Sequence, residues 1–232
     1  MATATEDRVL EHHFDNLEQQ RTAQTLAMWL FLATEVLFFG AIFTAYAAYR
    51  TWYSRDFEAA SQRLNILIAA INTVELLTSS LTMALSVYAT RAGQRSMLLT
   101  CLSLTAVLGG VFLVFKVVEY RADYVDRLVP GLAFDPAAPE WREHSPPVNP
   151  QYVQLMLMFY YILTGLHAVH LTIGIGLLAW LIARARLGQL TPERYIPVEV
   201  VGLYWHFVDV VWIFLLPLLY LTGTHHLSDL HF

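Results

Sequence analysis

His206 and Asp209 both sit within residues 202–221, an otherwise apolar run long enough to cross a bilayer. A charge near the centre of a spanning helix costs roughly 2.5 to 3.5 kcal/mol, so such groups persist where they face other protein and have partners. At about 100° per residue, Glu199, Gly202, His206, Asp209 and Ile213 share one side, with Trp205 and Trp212 towards a flank. Glu35 poses the same problem in the apolar run 29–40, with no basic residue within a helical turn. Two chemistries fit it: a carboxyl that holds and releases a proton, or a protonated carboxyl hydrogen-bonded inside a bundle. His167 and His170 lie three apart with Tyr160, Thr164 and Gly174 along one side, and together with His206 they raise a metal or haem hypothesis. Such a site needs further ligands at matching depth, and the His-rich boxes of a membrane di-iron enzyme are absent from the sequence. The favoured reading is therefore hydrogen-bonded helix packing, with no catalytic centre and no metal in this chain.

Other polar groups fall at helical spacing. Asn65, Asn72, Glu75, Ser79, Thr82 and Ser86 project into one sector of a helix, a stripe that another helix has to cover. Small neighbours such as Ala69, Thr73, Ser80 and Ala84 allow close approach, so packing is favoured over an ion path. Lys116 and Glu119 are three apart and can pair on one face, and Tyr120 suits a headgroup boundary. Arg184 and Arg186 end an apolar run, where guanidinium groups suit lipid phosphates or serve as ordinary anchors. His225, His226 and His231 belong to a short polar tail and read as solvated.

The elements that must position these groups are membrane helices. The 232 residues are 56% hydrophobic and 14% charged, with a mean hydropathy of +0.47, too apolar for an ordinary soluble domain. Apolar runs predict an all-α bundle of five spans, near 24–49, 64–90, 97–120, 152–183 and 199–222. They leave a segment 1–23 with no signal-peptide pattern, a tail 223–232, and one long proline-rich loop, 121–151, which either packs on a partner or is mobile. A net charge of -5 argues against a nucleic-acid surface, and the single Cys101 rules out an internal disulfide or Cys-rich metal cluster. The basic-residue bias is nearly balanced: with the N-terminus in the cytoplasm, Arg8, Arg21, Arg91, Arg95, Arg184, Arg186 and Arg194 face inwards against six loop arginines outside. The short loop with Arg91 and Arg95, and a tail without Lys or Arg, favour a cytoplasmic N-terminus and an external C-terminus.

Several of these runs carry a family likeness. The wording Tyr204-Trp-His-Phe-Val-Asp-Val-Val-Trp212 preceded by Glu199, Thr34-Glu-Val-Leu-Phe-Phe39, the Gly110 to Tyr120 run and Thr164-Gly-Leu-His-Ala-Val-His170 resemble subunit III of the haem-copper terminal oxidases. The resemblance implies a non-redox subunit of a proton-pumping cytochrome c oxidase in aerobic respiration. Such a chain packs beside catalytic subunit I, with subunit II and other respiratory complexes as further partners, in a bacterial inner membrane. It implies that Glu35 supports proton uptake, that Arg184 stands where a lipid-headgroup arginine is found, and that His167 and His170 are structural. Haem and copper are then expected in partner subunits, with structural phospholipid held by this chain. Many relatives have seven helices with a lipid-filled cleft, whereas this chain starts at the equivalent of the third. Glu75 is less typical of the family. An accessory subunit of a quinol oxidase or of a nitric oxide reductase system is the alternative. An independent membrane metalloenzyme or proton carrier is the remote one.

Overall fold

Asn65 starts one spanning helix by accepting a hydrogen bond from Ile68 N at 3.1 Å, and Asn149 starts another by accepting from Gln151 N at 3.0 Å, with Pro150 at its first position. Helix ends are equally explicit. After Arg91 and after Arg186 the chain turns through Gly93 (φ 68°) and Gly188 (φ 70°), where the left-handed backbone carries no Cβ penalty. Gln94 N then reaches Ala89 O, and Gln189 N reaches Arg184 O, closing both helices by the same bond pattern. Arg127 takes the left-handed position (φ 55°) for the helix that ends at Val125, and Leu128 N closes on Asp123 O at 2.9 Å.

The computed structural model describes residues 17–142 and 147–221; the histidines of the tail and most of the segment 1–23 lie outside them. The described residues form α1 (Leu17–Trp52), α2 (Ser54–Ser61), α3 (Ile66–Arg91), α4 (Arg95–Val125), α5 (Pro139–Arg142), α6 (Pro150–Arg186), a 3-10 turn (Pro192–Arg194) and α7 (Ile196–Leu219), with no strand among them. Five of these helices, α1, α3, α4, α6 and α7, are long and apolar enough to span a bilayer. The chain is an all-α polytopic membrane bundle, as its hydropathy predicts.

Helices α3, α4, α6 and α7 close on one another as a ring of neighbours, α3 against α4 and α7, and α6 against α4 and α7. Helix α1 lies outside this ring, chiefly on α7: 11% of its apolar stretch is buried, against 50% for α7. The region 50–63, between the first two spans that hydropathy predicts, contains α2, whose Phe57, Ala59, Ala60 and Ser61 are buried. It serves α7 directly. Ser61 donates to Leu219 O at 2.8 Å and Tyr46 of α1 donates to Leu218 O at 2.7 Å, satisfying carbonyls that the end of α7 leaves without a helical partner. Part of the long loop also packs inwards through the buried Leu128, Trp141 and Val148, and Asn149 N bonds the Asp56 carboxylate at 2.6 Å.

Candidate functional site

The polar groups of the spans assemble into three separate clusters. The first joins α1 to α6. His170 Nδ1 lies 2.8 Å from Leu166 O, an atom that only accepts, so Nδ1 carries hydrogen. Nε2, 3.1 Å from Glu35 Oε2, is thereby left to share one proton with the carboxyl. That proton rests either on Glu35, donated to a neutral imidazole, or on His170, donated to a carboxylate. Both side chains are mostly buried, at 18% and 14% exposure, beneath Phe39, whose ring meets the imidazole edge-on at 5.3 Å. Tyr204 of α7 donates to His170 O at 2.9 Å and ties the pair to the third helix. The partner Glu35 requires is thus on another helix, 135 residues away.

The second cluster lies around the final turns of α4 and α7. Lys116 Nζ donates to Glu119 Oε2 at 2.9 Å and to Tyr220 Oη at 2.7 Å, while Tyr160 and Tyr220 each donate to Glu119 Oε1 at 2.8 Å. The side chains of Lys116 and Glu119 are 3% exposed, and the Trp212, Tyr160 and Tyr220 rings surround the ammonium at 5.0, 5.2 and 5.4 Å from their centroids. Tyr161 extends the network by donating to Asp123 Oδ2 at 3.0 Å. Sequence spacing gave the Lys116–Glu119 pair but not the tyrosines, because Tyr160 and Tyr161 of α6 and Tyr220 at the end of α7 are remote from it along the chain.

The third cluster lines the α3–α7 contact. Trp205 Nε1 donates to Ser79 Oγ at 3.0 Å, Thr82 bonds Thr105 of α4 at 2.7 Å, and Ser80 Oγ meets His206 Nδ1 at 2.7 Å. Asp209 is 3% exposed and stands beside Ser80, but neither of its oxygens has a partner of proper hydrogen-bond geometry among the described residues. Of His206 and Asp209, His206 thus has a hydrogen-bond partner among the described residues, Ser80. The inward direction of α7 differs from expectation. Trp205 and Trp212, expected on a flank, are fully buried, while Ile213, expected on the inner side, is 42% exposed. Glycines decide this: a Cβ on Gly109 or Gly174 would stand 2.7 Å or 2.9 Å from the Trp205 ring, so the indole occupies space that those two positions leave open.

Four expected members stand apart. Glu199 is at the bundle's end, paired with Arg91 at 2.8 Å in a contact whose side chains are 52% and 36% exposed. Arg91 also stacks over Tyr195 at 4.8 Å, and Arg21 of α1 reaches Glu193 O at 3.2 Å. Replacing Arg91 by Ala should cost less than ~1 kcal/mol in thermal or denaturant unfolding of the detergent-solubilised chain, the range of exposed pairs. Glu75 belongs to none of the clusters; its Oε2 is buried without a partner among the described residues. Helix spacing put it with Asn72 and Ser79, but its position turns towards an apolar groove shared with α4. Arg184 is exposed over Trp180 at 4.3 Å, and Arg186 lends its carbonyl to Arg95.

The three described histidines diverge. His167 is enclosed by Phe112 and Trp212 at 5.3 and 5.2 Å, His170 faces Glu35, and His206 faces Ser80. Among the described residues no three His, Cys, Asp or Glu side chains converge as metal ligands. Both ring nitrogens of His167 are buried without a partner among those residues.

Comparison with known proteins places this arrangement. The family model for cytochrome c oxidase subunit III matches residues 4–125 and 155–224. This chain belongs to that family. Among curated relatives, the cytochrome c oxidase subunit 3 of a Synechocystis species is 32% identical over 193 residues, covering 83% of this chain and 72% of that protein. The cytochrome c oxidase subunit 3 of Alkalihalophilus pseudofirmus is 29% identical over 198 residues, covering 85% and 86%. A probable quinol oxidase subunit 3 of Staphylococcus haemolyticus is also 29% identical, over 215 residues, covering 91% and 96%. A subunit III is an integral membrane component of an oxidoreductase complex and associates with other oxidase subunits. The stretch between the two matched segments, 126–154, comprises the loop carrying Trp141 and Val148 and the first turn of α6.

Proposed function

We propose that this chain is the non-redox third subunit of a proton-pumping cytochrome c oxidase, with haem and copper held by partner subunits I and II. Its work is to stabilise the catalytic subunit, hold structural phospholipid and sustain proton uptake. Glu35 carries the reading. In contact with His170 at 3.1 Å it is a carboxyl whose proton has a second acceptor within hydrogen-bond range, so the proton can change owner without either heavy atom leaving its helix. The pair also keeps the site polar where hydrocarbon would otherwise border it. Arg184 and Arg186, both exposed at the end of α6, suit the phosphate of an anionic headgroup. Their end of the bundle also gathers Arg21, Arg91 and Arg95, which supports a cytoplasmic N-terminus and an external C-terminus in the proposed setting, a bacterial inner membrane.

Glu35→Gln tests the proton role. The amide still donates to His170 Nε2, so assembly should remain largely intact, while the transferable proton is gone. Initial turnover of the purified complex should be near that of the parent, and activity should decay several-fold faster over successive turnovers, most clearly at alkaline pH where bulk protons are scarce. Equal decay across pH would remove Glu35 from proton delivery.

A quinol-oxidising complex is the second reading, favoured by the Staphylococcus relative that matches over almost its full length. Purifying the native complex by a tag on this chain separates the two: rapid oxidation of reduced cytochrome c supports the first, and activity with a quinol alone supports the second. A tagged chain that brings down no haem-bearing subunit would defeat both.

A further inference from the structure

Resting on the reading of this chain as an oxidase subunit, we infer that the groove between α3 and α4 receives a transmembrane helix of another subunit, which brings a hydrogen-bond donor to Glu75. Ala70, Ile71, Val74, Glu75 and Thr78 run along one strip of α3, facing Leu108 of α4 across a groove of about 420 Å³. Glu75 is its single ionisable group. The Thr78 hydroxyl is already committed to Val74 O at 2.8 Å within its own helix, so it offers Glu75 no donated hydrogen. Oε2 of Glu75 is buried and has no partner among the described residues. The Lys116–Glu119 pair, by contrast, is completed within this chain by its tyrosines, and Asp209, which like Glu75 lacks a partner among the described residues, stands inside the α3–α7 contact and not on an outer groove.

Depth selects the occupant. Glu75 lies nine residues beyond Ile66, about 13 Å along the helix axis at ~1.5 Å per residue. A phospholipid phosphate stays at the boundary, and an acyl chain brings no donor to this level. A helix can do so, because a hydroxyl, amide or indole side chain on it is carried to any depth. The groove also suits a helix sterically. Ala70 and Thr78 are small enough for close approach, and Ile71 and Val74, 48% and 66% exposed, form the apolar ridge beside them. A half-buried carboxyl with one buried, unmatched oxygen, flanked by exposed aliphatic groups, is the pattern of a seam completed on assembly.

Two measurements on the native complex test this. Val74→Cys, in a Cys101→Ser background so that one thiol is present, is labelled with a short photocrosslinker and irradiated in the membrane before purification. Adducts should join this chain to another protein subunit. Glu75→Leu should lower the fraction of complexes that retain this chain through detergent washing by about five-fold or more, while Glu75→Gln, which still accepts, stays within two-fold of the parent. Adducts confined to lipid in an intact complex overturn the inference, as does equal retention of Glu75→Leu and the parent. If the parent chain fails to copurify with a haem-bearing subunit, the oxidase reading fails and this inference falls with it.

Discussion

Lys116→Met is expected to be the most damaging single substitution in the bundle, lowering the stability of the folded chain by about 3 to 5 kcal/mol, the cost of leaving one member of a buried ion pair alone. The cation sits at the centre of its cluster. It neutralises Glu119, and it donates to Tyr220 Oη, which frees the Tyr220 hydroxyl hydrogen to donate to Glu119. Without it, Glu119 keeps two phenolic donors but loses the cation bonded to it, at a place where its side chain is 3% exposed. Three rings that stand 5.0 to 5.4 Å from the ammonium would border an uncharged thioether instead.

A double substitution distinguishes loss of charge balance from loss of packing. Lys116→Met with Glu119→Gln removes both charges while keeping similar side-chain length, and the Gln oxygen still accepts from Tyr160 and Tyr220. It should recover more than half of the loss, because exchange of a whole buried pair for neutral groups is often close to neutral. The measurement is the thermal midpoint of the detergent-solubilised chain, with membrane-inserted yield as a second readout. If Lys116→Met alone retains parental stability, the cluster is not what holds α4, α6 and α7 together. This region also bears on function, since its aromatic wall includes Trp212, which packs on His167 at 5.2 Å one turn from His170. A bundle that loosens here would let the Glu35–His170 contact drift.

The number and kind of spanning elements were legible because hydrocarbon imposes one rule on all of them: an apolar run of sufficient length is a helix. So was the Lys116–Glu119 pair, which depends only on a three-residue separation within one helix. What stayed illegible was every contact that depends on how helices rotate against one another. The sequence marked Glu35 as needing a partner but could not choose His170 among the available groups, since 135 residues separate them. The polar stripe on α3 was drawn too wide. Asn65 is spent as a helix cap and Glu75 turns towards the α4 groove, leaving Asn72, Ser79, Thr82 and Ser86 as its buried members. On α7 the error ran the other way, because polar residues were taken to mark the inner face. The bundle instead buries its tryptophans there, and it does so where small residues on other helices make room. The signal for that lay in glycines of α4 and α6, which no inspection of α7 alone would have supplied.

Gly109→Val should therefore disrupt the bundle at Trp205, with a loss of about 2 to 3 kcal/mol from overpacking. A Cβ at this position would lie 2.7 Å from Trp205 Cη2 and 3.1 Å from Cζ2, closer than van der Waals contact allows. The ring has little freedom to retreat. Its Nε1–H is held by Ser79 Oγ at 3.0 Å, and a Cβ on Gly174 would stand 2.9 Å from its Cζ3. Moving the indole breaks that hydrogen bond, whereas moving α4 strains the Thr82–Thr105 bond at 2.7 Å. A second substitution gives the explanation its sharpest test. Trp205→Phe removes the atoms that Gly109→Val meets, and although it costs stability by itself, the two changes together should cost less than their separate effects added, by about 1 kcal/mol or more. The readout is again thermal unfolding in detergent, with Gly176→Val as the comparison, since a Cβ there meets nothing within 4 Å. Strict additivity of Gly109→Val and Trp205→Phe would mean that the glycine serves some purpose other than admitting the indole. Coupling would establish that a glycine on one spanning helix sets the rotation of another, and with it the side of α7 on which Tyr204 reaches His170 and His206 reaches Ser80.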